Sequence, residues 1–305
     1  MRRVVVLGGS GFLGRHICRA LAASHWDVVC VGRRPHGAGA VRCVRADLGD
    51  ADAGALAALL ARERPAVVVN AAGAVWGATD AQMTELNAVL VERLIDVAGA
   101  LPVRPRLVQI GSLHECAPSA PPGPGPAEPA TVYALSKARA TRALQAASEA
   151  GLVEAVVLRV SNTLGAGAPA GSLLGGIADR LAAADRAGGT CRLELPPLTA
   201  RRDFVDTRDV ADAVVRACAR AAADGRVLEV GRGSAVGVRA LIDDLIAVSG
   251  VPTAISVRSP ASGTTARSSS LGEQRADIRA IRELLGWQPR FTPRDGLVAL
   301  WSAAR

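Results

Sequence analysis

A chain of 305 residues, half of them hydrophobic and 21% charged, is long enough to bury one large core, or a core with a smaller lobe beside it. Its formal charge of +8 is spread along the chain on arginines. With only 3% aromatic residues, three phenylalanines and one tyrosine beside four tryptophans, there is little to stack bases, which argues against nucleic acid and for a phosphate-bearing small molecule. No apolar run reaches the roughly 18 to 20 residues of a membrane span, the start of the chain breaks into glycines too early for a signal peptide, and the scattered cysteines and histidines indicate neither a disulfide framework nor a metal site, so a cytoplasmic protein is expected.

In chain order, the first predicted strand is RVVVLG (3–8), followed by GGSGFLG and a helix near 12–24. Gly8, Gly11 and Gly14 stand in G-x-x-G-x-x-G spacing in this first strand-to-helix turn. Glycines there permit a tight turn and let a diphosphate approach backbone N–H groups at the positive end of the helix. Gly8, Ser10, Gly11, Phe12, Leu13 and Gly14 are therefore candidate dinucleotide contacts. The second strand, DVVCVG (27–32), ends in Arg33 and Arg34 where an NAD site would place an acid for the ribose 2′-hydroxyl. Two guanidiniums suit a 2′-phosphate, so NADP(H) is favoured over NAD(H). A third strand, VRCVRAD (41–47), brings Asp47 and Leu48 beside the adenine.

A helix near 52–64 leads to the strand AVVVNAA (66–72), whose end, Asn70-Ala71-Ala72-Gly73, lies where a parallel sheet keeps its ligand crevice. A helix near 80–100 precedes RLVQIGS (106–112), ending in Ser112. The proline- and glycine-rich 117–130 reads as a surface loop before a helix near 131–150, and EAVVLRV (154–160) as a further strand. Beyond 161 the alternation loosens, although VLEVG (227–231) reads as a strand and VRALIDDLIAVSG (238–250) as a helix. The fold class is α/β, a Rossmann-type doubly wound parallel sheet with a smaller C-terminal substrate lobe. The dinucleotide-binding domain is expected over 1–160, with a strand and helix near 203–231 returning to it, and the lobe over 161–202 and 232–305.

The helix over 131–150 opens with YALSK, which holds the chain's one tyrosine, Tyr133, and its one lysine, Lys137; the other basic side chains of the 36 are arginine. An offset of four puts both on one helix face, with Thr131 or a neighbour as the cap. A nearby ammonium stabilises the phenolate and so should lower the tyrosine pKa, letting the phenol exchange a proton near neutral pH. Arginine supplies charge but not the compact three-donor head that can also bond a ribose hydroxyl. Ser112 supplies a hydroxyl for the reacting oxygen, and Ser112, Tyr133 and Lys137 form the candidate catalytic set.

These motifs, with Asn87, LRVSNTLG containing Asn162, ARRDFVDTRDVADAV (200–214) and LLGWQP (284–289), resemble the extended short-chain dehydrogenase/reductases, the nucleotide-sugar epimerases, dehydratases and reductases. The resemblance implies hydride-coupled proton transfer at Ser112, Tyr133 and Lys137, dinucleotide contacts at Asn70, Ala71, Ala72, Gly73, Asn87, Tyr133 and Lys137, a substrate diphosphate held by Asn162 and Arg202, and a homodimer. Where dehydratases of this kind carry Thr-Asp-Glu, this chain reads Ser112-Leu113-His114, which speaks against dehydration. GSLHECAP is similar to a segment of 4-ketoreductases from antibiotic deoxysugar pathways. The expectation is an NADPH-dependent reductase of a dTDP-linked 4-keto-6-deoxy sugar. Its alternatives are an NAD-retaining epimerase, a ketoreductase acting on an aromatic polyketide, and a non-catalytic dinucleotide sensor.

Overall fold

The computed structural model describes residues 1–34, 41–116, 131–257 and 273–305; the loop expected over 117–130 lies outside them. The first half runs β1 (Arg3–Leu7), α1 (Phe12–Ala23), β2 (Asp27–Gly32), β3 (Arg42–Arg45), α2 (Ala53–Glu63), β4 (Val67–Asn70), α3 (Asp80–Thr84), α4 (Leu90–Ala100), β5 (Arg106–Ser112), α5 (Val132–Glu149) and β6 (Ala155–Val160). The second runs β7 (Asn162–Leu164), α6 (Leu173–Arg186), β8 (Cys191–Leu195), β9 (Arg201–Asp206), α7 (Thr207–Ala219), β10 (Val227–Val230), β11 (Ala235–Gly237), α8 (Val238–Ser249), β12 (Thr253–Val257), α9 (Arg279–Leu285) and α10 (Pro293–Ala304).

Seven strands pair in parallel in the order β10-β6-β5-β4-β1-β2-β3. Their continuous valine-rich runs explain the arrangement: β1 and β4 are buried on both faces, as only a sheet covered by helices on each side allows. On one face α1, α7 and α9 close over Val4, Val6, Val69 and Val108, with Trp287 fully buried among them. On the other, α2, α4 and α5 close over Val5, Leu7, Val68 and Leu107. The strand order reverses between β1 and β4, which opens a crevice at their carboxyl ends.

A smaller three-stranded sheet, β11-β9-β7, and the pair β12-β8 pack with α6, α8 and α10 around a separate core containing Leu181, Leu193, Ile242 and Trp301. The stretch near 203–231 divides between the two layers. Its strand, β9, joins the small sheet, whereas α7 and β10 pack into the large one. Trp287, in the 232–305 stretch, also sits on the large sheet, its indole N–H bonded to the Asp209 carbonyl at 3.0 Å.

The helix expected over 80–100 is interrupted. A π-turn, Glu85–Val89, separates α3 from α4 and contains Asn87. The wider turn lets a buried asparagine reach sideways out of the helix, which a sequence pattern of period 3.6 does not reveal.

Candidate active site

The glycine turn between β1 and α1 is packed so tightly that side chains are excluded. Gly8 has φ +73°, and a Cβ there would lie 2.5 Å from the Ala72 backbone nitrogen; a Cβ on Gly14 would strike the Gly8 carbonyl. Helix α1 starts at Gly11 without a side-chain cap, whereas Asp52, Thr131 and Ser172 cap α2, α5 and α6. Its first N–H groups are thus left facing the crevice with the positive end of the helix dipole behind them. Ser10 lies over Gly32, and Phe12 meets His16 edge to face. Arg15 bonds the carbonyls of Gly11 and Gly167, at 3.3 and 3.2 Å, and His16 pairs with the Ala166 carbonyl at 3.1 Å, so the turn is tied to the loop that follows β7.

Around this crevice, Arg33 and Arg34 stand exposed at the end of β2. Asp47 is exposed and accepts the Gly49 N–H at 3.1 Å, while Leu48 is buried under α2. The Asn70 side chain is turned inward, donating to Gln109 at 2.9 Å and accepting the Ala72 N–H at 3.1 Å, so it shapes the turn through Ala71 and Ala72. Asn87 clasps Ala74 by both its N–H and its carbonyl and donates to Ser136 at 3.2 Å, fastening the loop after β4 to α5. Gly73 is exposed beside them, and a Cβ there would sit 2.9 Å from Asn87 Oδ1 and 3.3 Å from Lys137 Nζ. A groove closed to side chains at Gly8, Gly14 and Gly73, opening onto free helix N–H groups and two exposed arginines, fits a dinucleotide.

Thr131 caps α5, accepting the Ala134 N–H at 3.2 Å, and the four-residue offset then aims Tyr133 and Lys137 at the end of β5. Lys137 is buried and donates to the Ile110 carbonyl at 3.0 Å. Burial lowers its pKa to about 8. Tyr133 faces the Ser112 side chain, whose hydrogen bonding favours the phenolate; burial outweighs this and pushes the tyrosine pKa up. The lowered tyrosine expected from its lysine neighbour is therefore corrected. The Lys137 ammonium is directed at the Ile110 carbonyl, and desolvation governs the phenol.

Beyond Ser112 the chain makes one 3₁₀ turn, Leu113–Glu115, which sends three side chains in three directions. Leu113 is buried, with its carbonyl held by Gln274 at 2.9 Å. His114 lies edge-on to Tyr133, ring centres 6.4 Å apart, bonds Asn162 and faces Arg202; burial depresses its pKa, leaving a neutral imidazole at neutral pH. Asn162 also donates to the Asp203 carbonyl at 3.1 Å, and the buried Arg202 donates to the Arg201 carbonyl at 2.8 Å. Asn162 and Arg202 thus reach Tyr133 through His114, across the junction of the two sheets. Glu115 turns inward, to Arg159 at 2.9 Å.

Sequence reasoning missed Glu115 and Asp203. Asp203 is fully buried and accepts N–H groups from Arg232 and Gly233, each at 2.8 Å, and from Ala276 at 3.1 Å. Each is a single carboxylate in a mixed stretch, and the partners that turn it inward lie far along the chain: Thr141 and Arg159 for Glu115, Arg232, Gly233 and Ala276 for Asp203. Among the described residues no group of three or more His, Cys, Asp or Glu could hold a metal ion, and no helix is long and apolar enough to cross a membrane.

The NAD dependent epimerase/dehydratase family matches residues 4–231, the span that contains the glycine turn, Ser112, Tyr133 and Lys137. The chain belongs to this family. It is an NAD(P)-dependent oxidoreductase of the extended short-chain dehydrogenase/reductase type. It is 44% identical over 307 residues to a dTDP-6-deoxy-L-talose 4-dehydrogenase (NAD(P)(+)) of Kitasatospora kifunensis, covering 99% of this chain and 95% of that one. It is also 28% identical to a UDP-glucose 4-epimerase of Azospirillum brasilense, over 97% and 90% of the two chains. In fold it is similar to RMD of Pseudomonas aeruginosa, solved with NADPH, with a TM-score of 0.79 and 23% identity over 99% of each chain.

Proposed function

We propose that the protein reduces the 4-keto group of a dTDP-linked 6-deoxy sugar, with NADPH as the hydride donor. The observation that carries this reading is the turn after Ser112. An epimerase/dehydratase site that eliminates water needs a carboxylate beside the sugar to take its C5 proton. Here the two positions after Ser112 hold a buried leucine and a neutral histidine, and the carboxylate that follows is committed to Arg159 in the interior. What remains at the pocket is a hydroxyl, a phenol and an ammonium, a set suited to protonating a carbonyl oxygen. The 44% identical relative is named for oxidation at C4 of a dTDP-6-deoxy sugar, the same bond taken in the opposite direction.

In this reading Ser112 Oγ and the Tyr133 hydroxyl both bond the C4 carbonyl oxygen. Tyr133 donates its proton to that oxygen as the carbonyl becomes an alcohol, and a phenol whose pKa is raised is protonated and ready to do so at neutral pH. Lys137 keeps a positive charge beneath the phenol as the proton leaves. His114, Asn162 and Arg202 offer the diphosphate end of the substrate a guanidinium and two neutral partners. NADPH, held by the glycine turn after β1 and by Arg33 and Arg34, would supply the hydride for C4.

The test supplies a dTDP-4-keto-6-deoxyhexose with 4-deuterated NADPH. One NADPH should be oxidised per sugar, with deuterium appearing at C4 of the product. A sugar free of deuterium, or an epimerised sugar formed without cofactor consumption, overturns the reading.

A further inference from the structure

Glu115 takes no part in the chemistry just described, yet its carboxylate is bonded at both oxygens directly beneath Ser112. Its side chain is fully buried. One oxygen, Oε1, accepts the Ser112 backbone N–H at 2.7 Å, and the other, Oε2, accepts the Thr141 hydroxyl at 2.7 Å and Arg159 Nε at 2.9 Å. Gly111 leaves room for it, since a Cβ there would lie 2.6 Å from Oε1. A single side chain therefore joins the end of β5, the helix of Tyr133 and Lys137 one turn past the lysine, and β6.

Space-filling alone does not account for this residue. Burying a carboxylate costs several kcal/mol of hydration even after relaxation, and well-packed apolar side chains fill such a place at equal or greater stability. With Ser112, Tyr133 and Lys137 read as the ketone-reducing set, we propose that Glu115 is a positioning residue for that set, fixing the backbone of Ser112 and supplying a negative charge beneath Lys137 and Tyr133.

The charge acts on both groups in one direction. A carboxylate favours ammonium over amine and phenol over phenolate, so Glu115 raises the pKa of each. For Lys137 this opposes burial and retains the positive charge through the neutral range; for Tyr133 it retains the proton to be donated. The other charges nearby are Arg159 on β6, which pairs with Glu115 and is faced by Glu229 on β10, and Arg202 on the pocket side of His114; Cys116, just past the turn, is a thiol whose pKa burial pushes up, so it stays neutral.

The single lysine makes the proposal measurable without any substrate. Protein labelled with ¹³Cε-lysine gives one side-chain signal, and its shift against pH titrates Lys137 alone, near pH 8 in the parent. Glu115→Gln keeps the shape and loses the charge; the titration should move to lower pH by about half a unit or more, the scale of a nearby charge in a partly screened interior. Arg159→Gln removes the opposing charge and should move it to higher pH. Thr141→Val removes one hydrogen bond and no charge, and should leave it in place. Damage to packing does not produce shifts of opposite sign, so unmoved titrations in both charge variants, or movement in the same direction, overturn the proposal.

The second arm follows NADPH oxidation with a dTDP-4-keto-6-deoxyhexose, where the alkaline limb of kcat/KM should shift with the lysine titration. Shifted titrations in a protein that does not reduce the sugar retain the role of Glu115 and remove the sugar reading. An active parent with unmoved titrations does the reverse.

Discussion

Replacing Gly8 by alanine tests how the glycine turn is built, and a second glycine provides the internal control. Gly8 has φ +73° and Gly77 has φ +69°, so alanine at either position adopts a left-handed backbone, at roughly 1 to 2 kcal/mol. Space separates them. A Cβ at Gly77 meets nothing within 4 Å, whereas at Gly8 it would stand 2.5, 2.6 and 2.8 Å from backbone atoms of Ala72 and Ala71. Those atoms directly follow β4, a strand in the middle of a seven-stranded sheet, and have no rotamer to change, so overpacking adds roughly 1 to 3 kcal/mol. At roughly 2 °C per kcal/mol for a chain of this size, Gly77→Ala should lower the melting temperature by about 2 to 4 °C and Gly8→Ala by about 4 to 10 °C. Relief comes only from parting β1 from β4, which widens the crevice, so Gly8→Ala should also weaken NADPH binding while Gly77→Ala should not. Thermal unfolding by circular dichroism and NADPH fluorescence titration measure both. Equal melting temperatures for the two variants would refute the steric reasoning.

Replacing Arg33 and Arg34 together by alanine should weaken NADP(H) about ten-fold or more and leave NAD(H) nearly unchanged, because charge-assisted hydrogen bonds are worth roughly 1.5 to 3 kcal/mol; calorimetric titration of both cofactors checks this, and equal affinity for the two in the parent removes the case for NADPH. Tyr133→Phe should cost roughly 10² to 10⁴ in kcat while retaining NADPH binding, read by steady-state kinetics beside fluorescence titration. Lys137 is held near 8 when folded and returns to 10.5 when unfolded, so between these values the unfolded chain binds more protons and stability rises with pH. Relative to Lys137→Met, the parent should therefore gain about 2 to 3 kcal/mol from pH 7.5 to 10.5, measured by urea unfolding; a flat difference would contradict the buried lysine.

Much of the fold could be read locally. Valine runs such as those of β1 and β4 are buried on both faces, and that requirement is written in consecutive residues. The Gly8, Gly11 and Gly14 spacing, the Thr131 cap and the offset between Tyr133 and Lys137 are likewise properties of a few neighbouring positions. The helical period did not disclose the π-turn at Asn87, because widening one turn changes hydrogen bonding without changing the apolar pattern.

What only the tertiary structure decided concerns residues whose partners are distant in sequence. Sequence alone placed Ser112, Tyr133 and Lys137 as candidates, because strand ends and helix faces follow from period and capping. It gave the wrong direction for Tyr133, since the direction depends on how much water the folded chain excludes from the phenol. It could not show that Glu115 would turn inward to Arg159, 44 residues away, rather than face the pocket as an acid. Nor could it assign β9 to the small sheet and α7 to the large one, because adjacent residues went to different cores. Periodicity records which face of an element is buried; the neighbour it is buried against, and hence the charge and solvent each site residue meets, is set only when elements far apart in the chain pack together.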